Sequence, residues 1–242
     1  MINEQQEREF ALDLKSKLAG KFIVFDGPDG SGKGTQLRML AERLSGEGLE
    51  VVCARDPGGT TIGDRIRSVL LDYDLSEMDV RCETFLFMAS RAQLVGEVVE
   101  PALAAGKVVL CDRFVSSTYA YQGAAGYDVS RLIELGRLAV GETWPNLTLI
   151  IDVPTEEGFR RTGRKPHHAG RNRKSSEGQG LLLSDVRTDA MEARPIAFHR
   201  KVRERFRQLP PDYPGKVVVL DGLRPPQQVH EHIVEIITSE DF

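Results

Sequence analysis

The fold is decided by residues 22–35, which read Phe22-Ile23-Val24-Phe25-Asp26-Gly27-Pro28-Asp29-Gly30-Ser31-Gly32-Lys33-Gly34-Thr35. The apolar run at its start is short and rich in β-branched and aromatic residues, as is typical of a buried strand. Helical spacing of leucines begins directly after it, at Leu37 and Leu40. A strand, a glycine-rich turn with the spacing of Gly27, Gly32 and Lys33, and then a helix predict a phosphate-binding loop.

Such a loop binds an anion because its backbone N–H groups point inward and the helix that follows adds its positive end. We expect the Lys33 amine to reach the terminal phosphates of ATP as a point charge. The residue after the lysine is usually Ser or Thr, whose hydroxyl binds Mg²⁺. Here it is Gly34, in a run that looks like that of adenylate kinases, so a direct hydroxyl ligand stays open. The predicted ATP-binding residues are Gly27, Pro28, Asp29, Gly30, Ser31, Gly32, Lys33, Gly34 and Thr35.

Four further apolar runs predict buried strands, at residues 51–54, 108–111, 147–153 and 217–220. Helical spacing separates them, including a long helix from Glu83 to Glu100 that we expect to end at Pro101, and a helix marked by Leu132, Leu135 and Leu138. Strands that alternate with helices predict an α/β protein with the P-loop NTPase fold. Its five-stranded parallel sheet would carry helices on both faces.

The chain divides unevenly along its length. Residues 1–20 form a predicted N-terminal helical extension, and residues 21–242 a single domain. Between Gly158 and Ser176 there are seven Arg and Lys residues and no acidic residue. A long basic insertion of this kind in a compact domain is either functional or disordered.

Composition excludes several classes of protein. The 242 residues carry 32 Lys and Arg against 36 Asp and Glu, a net charge of −4, which argues against a nucleic-acid-binding protein but not against a small anionic ligand. The three cysteines are far apart, which disfavours disulfides and structural zinc and favours a reduced, cytoplasmic setting. We expect no membrane span, because no apolar run is long enough, and no signal or transit peptide.

A carboxylate follows the third predicted strand, at Asp112. Because the carboxyl ends of parallel strands form the ligand-binding edge of such sheets, Asp112 would lie near the phosphates. A carboxylate there can hold Mg²⁺ through water. Asp112 is therefore the predicted metal residue.

Three arginine-bearing motifs accompany the phosphate loop: Arg55-Asp56-Pro57-Gly58-Gly59-Thr60, Phe87-Met88-Ala89-Ser90-Arg91, and Asp112-Arg113-Phe114-Val115-Ser116-Ser117-Thr118-Tyr119-Ala120-Tyr121-Gln122-Gly123. In this order and spacing the chain closely resembles the thymidylate kinase family over residues 21 to 240. The resemblance implies transfer of the ATP γ-phosphate to dTMP, which gives dTDP, with Mg²⁺ as cofactor. It also implies a homodimer.

The resemblance assigns a role to each matching residue. Asp29 would accept a hydrogen bond from the 3′-hydroxyl of dTMP, while Arg55 and Arg113 would bind its 5′-phosphate. The base would stack on Phe87 and receive a hydrogen bond from Arg91 at O4. Three residues would complete the nucleoside site, two along the base edge and one beside C2′ of the sugar; they are Ser117, Gln122 and Tyr121.

The basic insertion resembles the family's lid, here residues 160–188, which supplies a catalytic arginine when the phosphate loop has none. The family's arginine position before Phe198-His199 is Ala190 in this chain. Arg161 and Arg164 match better, and Arg187 could substitute. The predicted catalytic residues are therefore Lys33, Arg113, Arg161 and Arg164.

Two alternatives stay open. One is a P-loop kinase of another nucleotide or nucleoside, which Phe87, Arg91 and Tyr121 disfavour because they suit a pyrimidine deoxynucleotide. The other is a nucleotide-binding module that has lost catalysis, which Gly34 and Ala190 favour.

Overall fold

The computed structural model describes residues 14–72, 78–165, 190–209, 211 and 213–239. Its strands are β1 (Phe22–Asp26), β2 (Val51–Arg55), β3 (Val108–Asp112), β4 (Leu147–Asp152) and β5 (Lys216–Asp221). They form one parallel sheet in the order β2-β3-β1-β4-β5, with β1 at its centre. The five-stranded parallel sheet predicted from the sequence is thereby confirmed.

Helices cover both faces of the sheet. They are α1 (Lys33–Gly46), α2 (Thr61–Leu71), α3 (Val80–Leu94), α4 (Glu100–Ala104), α5 (Val115–Ala124), α6 (Val129–Val140), α7 (Thr155–Arg161), α8 (Ile196–Arg207) and α9 (Pro226–Ser239). Successive side chains of a strand point to opposite faces, so Ile23 and Phe25 join the core beneath α1 and α9, whereas Phe22 and Val24 join the core on the opposite face.

The sheet register brings three loops together at the carboxyl edge. Phe25 pairs with Asp112, and Asp26 pairs with Ile150, so β1 and β3 end within one residue of each other and β4 continues two residues further, to Asp152. The residue after β3, Arg113, has φ +70° and is the one non-glycine with positive φ among the described residues. A left-handed backbone conformation is uncommon for a residue that has a Cβ.

The prediction that Pro101 ends the long helix is wrong. The helix begins at Val80, passes through a π-helical turn at Val95–Val99, and continues as α4, with Pro101 in its first turn. The N–H of Glu100 donates to the carbonyl of Val95, five residues back. Proline breaks a helix by lacking an N–H and crowding the preceding turn, and neither matters at the start of a new helical segment.

The predicted apolar face of α6 is wrong at one position. Leu132 is fully buried, whereas Leu138 is 83% exposed. The buried face consists of Leu132, Ile133, Gly136 and Val140, and Leu138 points away from it.

The described part of the N-terminal extension is helical over residues 14–18. Leu14 and Leu18 are buried in the same core cluster as Ile233 and Ile236 of α9. Lys17 Nζ donates to the carbonyl of Thr238 at 2.7 Å. This segment therefore packs on the domain, although the division at residue 20 remains a prediction.

Candidate active site

The loop after β1 needs glycine for two separate reasons. Gly27, Gly30 and Gly32 have φ of +132°, +74° and +101°. A Cβ on Gly27 would lie 2.3 Å from the carbonyl oxygen of Ile151, and one on Gly30 would lie 2.4 Å from that of Gly158. Helix α1 begins directly after Gly32, and no side chain caps it. Its first N–H groups are thus available to an anion.

Lys33 lies inside this loop with little of its side chain exposed. Its Nζ donates to the carbonyl oxygens of Pro28 at 2.9 Å and Gly27 at 3.1 Å. Burial and, to a smaller extent, the neighbouring Arg113 lower its pKa to about 8, against the opposing effect of Asp29. An ammonium held in this way is placed to meet a phosphate.

Asp112 is the last residue of β3, and its Oδ1 is buried without a hydrogen-bond partner in the structure. A buried carboxylate oxygen with no partner is costly, and a cation or its bound water would satisfy it. The described residues contain no cluster of three or more His, Cys, Asp and Glu that could cage a metal. One carboxylate beside a phosphate loop is the donor set Mg²⁺ commonly uses, with water and phosphate completing it. The residues present therefore fit the ion.

Arg113 connects the phosphate loop to helix α5. One guanidinium nitrogen donates to Ser117 Oγ at 3.0 Å and lies 3.4 Å from Asp26 Oδ1, and the other donates to Asp29. The Tyr121 hydroxyl also donates to Asp29, at 3.1 Å. Burial alone would raise the pKa of Asp29, but Arg113, Lys33 and Arg164 outweigh it and lower the value to about 2. Asp29 is consequently an anion at neutral pH.

Asp26 is a residue of this network that the sequence analysis missed. It is fully buried, and both serine hydroxyls of α5 donate to it, Ser116 at 2.6 Å and Ser117 at 2.7 Å. Its position as the last residue of the central strand was the available signal. Asp26 therefore holds the start of α5 against the phosphate loop. Helix α5 carries residues that are predicted to bind the nucleoside.

A cavity of about 210 Å³ opens next to Asp29. Most residues predicted to bind dTMP line it, and they are Asp29, Phe87, Arg91, Arg113, Ser117, Tyr121 and Gln122. The described residues that also line it, but that the sequence analysis did not single out, include Arg67, Leu71 and Met191. The structure thus brings together residues from separate motifs around one cavity.

Arg55 is not among the residues that line this cavity. It ends β2 with its side chain 52% exposed and 3.3 Å from Asp64 Oδ1. Gly59 N donates to the same Asp64 oxygen, at 3.1 Å. Arg55 is therefore at the correct edge of the sheet but is turned toward α2.

Arg91 is buried, with only 1% of its side chain exposed. Its Nε donates to Asp56 Oδ2 at 2.6 Å, and its Nη2 donates to the carbonyl of Phe114 at 3.0 Å. Asp56, in the motif after β2, is the partner that the sequence analysis missed. The sequence shows a positive charge in one motif and a negative charge in the other. Only the fold shows that the two side chains are in contact.

Gln122 is held by a hydrogen bond to α3. Its Nε2 donates to Glu83 Oε1 at 2.8 Å, and Glu83 Oε2 forms an ion pair with Arg194. The Arg194 guanidinium lies 4.6 Å from the centre of the Phe198 ring. Neither Glu83 nor Arg194 was predicted as a site residue.

The two predicted lid arginines in the described residues lie in different places. Arg161 pairs with Glu157 and donates to the carbonyl of Gly222 at 3.0 Å. Arg164 lies 3.5 Å from Asp29 Oδ2 and 4.3 Å from the centre of the Phe159 ring. Arg187 lies outside the described residues, as does the rest of the predicted lid from residue 166 to 188. Arg161 also donates to the carbonyl of Gly30 at 3.4 Å, so it links α7 to the phosphate loop and to the loop after β5. Of the two, only Arg164 contacts Asp29 beside the cavity.

Comparisons with known proteins agree with this geometry. A family model described as thymidylate kinase matches residues 25–233. The chain is 41% identical over 219 residues to the thymidylate kinase of Nitratidesulfovibrio vulgaris, a match that covers 90% of this chain and 96% of that protein. It is 40% identical to that of Roseiflexus castenholzii, with 89% and 92% covered.

A solved structure is similar over nearly the same length. The crystal structure of thymidylate kinase from Ehrlichia chaffeensis matches with a TM-score of 0.64 and 30% sequence identity. The match covers 90% of this chain and 98% of that one.

Proposed function

The chain belongs to the thymidylate kinase family, and from that premise we propose how its residues share the work of phosphoryl transfer. It is an ATP-dependent nucleoside monophosphate kinase that transfers the γ-phosphate of ATP to dTMP and releases ADP and dTDP. One observation supports the assignment of its site most directly. Asp29 belongs to the phosphate loop and also lines the cavity, so a donor and an acceptor bound at the two would meet there.

ATP is held by residues Gly27–Thr35. Loop and helix N–H groups bind its phosphates, and Lys33 neutralises their charge. Mg²⁺ would be held by Asp112 through water and would supply further neutralisation of the phosphates. Since Gly34 has no hydroxyl, the ion gains no ligand from the position after the lysine.

dTMP occupies the cavity. Arg113 binds the 5′-phosphate of dTMP. Arg55 binds the same phosphate after it breaks its ion pair with Asp64, and because that pair is exposed, breaking it costs little free energy. The 3′-hydroxyl donates to Asp29, whose low pKa keeps it an acceptor. Thymine stacks on Phe87, Arg91 donates to its O4, and Ser117 and Gln122 line its edge, while Tyr121 fills the space beside C2′.

A phosphate oxygen of dTMP is already an anion, so its attack on the γ-phosphorus needs no strong general base. The new P–O bond forms as the bond to the β-phosphate oxygen breaks, and ADP leaves. The protein mainly positions the groups and neutralises charge. Lys33, Arg113 and a lid arginine perform this neutralisation, and a closed lid excludes water that would otherwise accept the phosphoryl group.

An acceptor panel tests the assignment. The protein is mixed with ATP·Mg²⁺ and separately with dTMP, dUMP, dCMP, CMP, UMP or AMP, and ADP release is measured. We expect dTMP to give the highest kcat/KM. Preference for another acceptor would identify a different nucleotide kinase, and no ADP with any acceptor would identify a binding module without catalysis.

We further propose that the enzyme is a cytoplasmic homodimer. No described helix has the length and apolar character needed to cross a bilayer. All three cysteines are free thiols, which suits a reducing compartment. Helices α2, α3 and α6 are neighbours and expose large apolar side chains, which are Ile62, Phe85 and Leu138. Exposed apolar side chains on neighbouring helices favour association with a second copy.

A further inference from the structure

Glu83 is a buried carboxylate that the proposed mechanism does not use. It is 3% exposed and lies in the first turn of α3, four residues before Phe87 and on the same face of the helix. Burying an acidic side chain is costly unless it is paired and hydrogen-bonded. Glu83 is both, since Gln122 and Arg194 each donate to one of its oxygens.

These two contacts fix the orientation of the Gln122 amide. An ionised carboxylate only accepts hydrogen bonds, so the amide must turn its NH₂ toward Glu83. Because Arg194 engages the second carboxylate oxygen and stacks on Phe198, the carboxylate is held from both sides. The other end of the Gln122 amide is the carbonyl Oε1, an acceptor, on a side chain that lines the cavity.

A hydrogen-bond acceptor at the edge of the base discriminates between thymine and cytosine. Thymine carries a proton on N3 and can donate to Oε1, whereas N3 of cytosine is itself an acceptor and would face Oε1 without a proton between them. We propose that Glu83 is a positioning residue that holds the Gln122 carbonyl toward the base and so makes the enzyme select dTMP over dCMP. This inference rests on the proposed function, because it takes the cavity as the site of the base.

The test compares kcat/KM for dTMP and for dCMP in four proteins: the wild type, Glu83→Gln, the double variant Glu83→Gln/Gln122→Glu, and the control Glu97→Gln. A glutamine at position 83 can donate as well as accept, which frees the Gln122 amide to turn. We expect the dTMP-to-dCMP ratio to fall about tenfold or more in Glu83→Gln, mainly through the KM for dTMP.

The double variant reverses the pair and should restore selection. The amide at position 83 then donates to the carboxylate at position 122, and that carboxylate can present only acceptor oxygens to the base. A ratio within about threefold of the wild type supports the inference, and a ratio more than about tenfold below it overturns it. If Glu83→Gln alone does not fold, the double variant decides by these same outcomes.

The control Glu97→Gln makes the same substitution in a glutamine–glutamate hydrogen bond at the surface. Gln93 Nε2 donates to Glu97 Oε2 at 2.8 Å, and Glu97 is exposed. Glu97→Gln should leave the ratio unchanged. A wild type that does not phosphorylate dTMP would refute the proposed function itself. A wild type that prefers dTMP, with Glu83→Gln within about twofold of its ratio, would refute only the role of Glu83.

Discussion

The Nε of Arg91 donates to Oδ2 of Asp56 at 2.6 Å, and both side chains are almost completely buried. The two residues are far apart in the sequence, on α3 and on the loop after β2. The pair joins α3, where Arg91 lines the cavity, to the loop that follows Arg55. It therefore has a structural role beside any contact of Arg91 with the base.

Removing one partner of this pair should destabilise the fold strongly. Asp56→Ala leaves the guanidinium of Arg91 buried without its counter-ion, and we expect a loss of about 3–5 kcal/mol in the free energy of unfolding. Urea denaturation measures it. The control is Glu42→Ala, which removes an exposed pair with Arg38 and should cost about 0.5 kcal/mol or less. Similar losses in the two variants would contradict the buried-pair argument.

The phosphate loop should not accept a side chain at Gly27. The Cβ of Gly27→Ala would lie 2.3 Å from a backbone oxygen, and φ of +132° is unfavourable for alanine. We expect the loop to be displaced and the Kd for ATP, measured by calorimetry, to rise at least about tenfold. Gly46→Ala is the matched control, because a Cβ there meets nothing within 4 Å. An unchanged Kd in Gly27→Ala would show that the loop does not hold the phosphates.

Binding of ATP should depend on pH through Lys33. In the free protein burial lowers the Lys33 pKa to about 8, and bound phosphates would raise it again. Below pH 8 the Lys33 amine is charged both before and after ATP binds, so its titration does not change the affinity for ATP. Above pH 8 binding must take up a proton, so the affinity falls by up to about tenfold per pH unit.

Calorimetry at pH 7 to 9.5 in buffers of different ionisation enthalpy would detect this proton uptake. Lys33→Met should bind ATP weakly throughout and show no uptake in the alkaline range. An affinity of the wild type that does not change between pH 8 and 9.5 would contradict the assignment.

The two described lid arginines should differ in their effect on turnover. Arg164 contacts the Asp29 carboxylate, whereas Arg161 pairs with Glu157 and donates to the backbone carbonyls of Gly30 and Gly222. If Arg164 neutralises charge on the transferring group, Arg164→Ala should lower kcat by about 10³-fold or more. We expect Arg161→Ala to lower it much less, and the two serve as controls for each other in steady-state kinetics. Arg187→Ala belongs in the same series, and turnover near wild type in all three would refute a catalytic lid arginine.

The proposed homodimer can be tested by substituting a single exposed side chain. Phe85 lies on α3 with 55% of its surface exposed. Phe85→Glu should leave the monomer folded and should dissociate a dimer that buries this face, because a desolvated unpaired charge opposes association. Light scattering after gel filtration measures the mass. Leu223→Glu, on an exposed leucine in the loop after β5, should not change it.

The sequence was sufficient for the sheet and for the phosphate loop, because both depend on local patterns. Short apolar runs located all five strands, and the glycine spacing located the loop beside Lys33. Local pattern also explains the error at Pro101. A proline normally ends a helix, and nothing in the residues around it indicated that a π-helical turn would let the chain continue.

The parts of the site that could not be predicted are partners of predicted residues. Phe87, Arg91 and Gln122 were assigned from motifs, but the residues that hold two of them were not. Asp56 lies in a quoted motif that gave no sign of its partner, and Glu83 has no distinctive spacing. Their contacts join α3 to the loop after β2 and to α5, and such contacts follow from tertiary packing alone. For the same reason the motif of Arg55 did not indicate that its side chain turns toward Asp64.

The left-handed backbone of Arg113 has a consequence for how this enzyme could be engineered. At φ +70° the backbone conformation of a glycine would be about 1 kcal/mol lower in free energy than that of a residue with a Cβ. A search for more stable variants that scores each residue against its own backbone would therefore select against the guanidinium that joins Asp26, Asp29 and Ser117. At this position the backbone preference and the side-chain contacts oppose each other, and the loss of these buried contacts would cost more stability than the backbone gains. Libraries made for heat resistance should therefore keep Arg113 fixed.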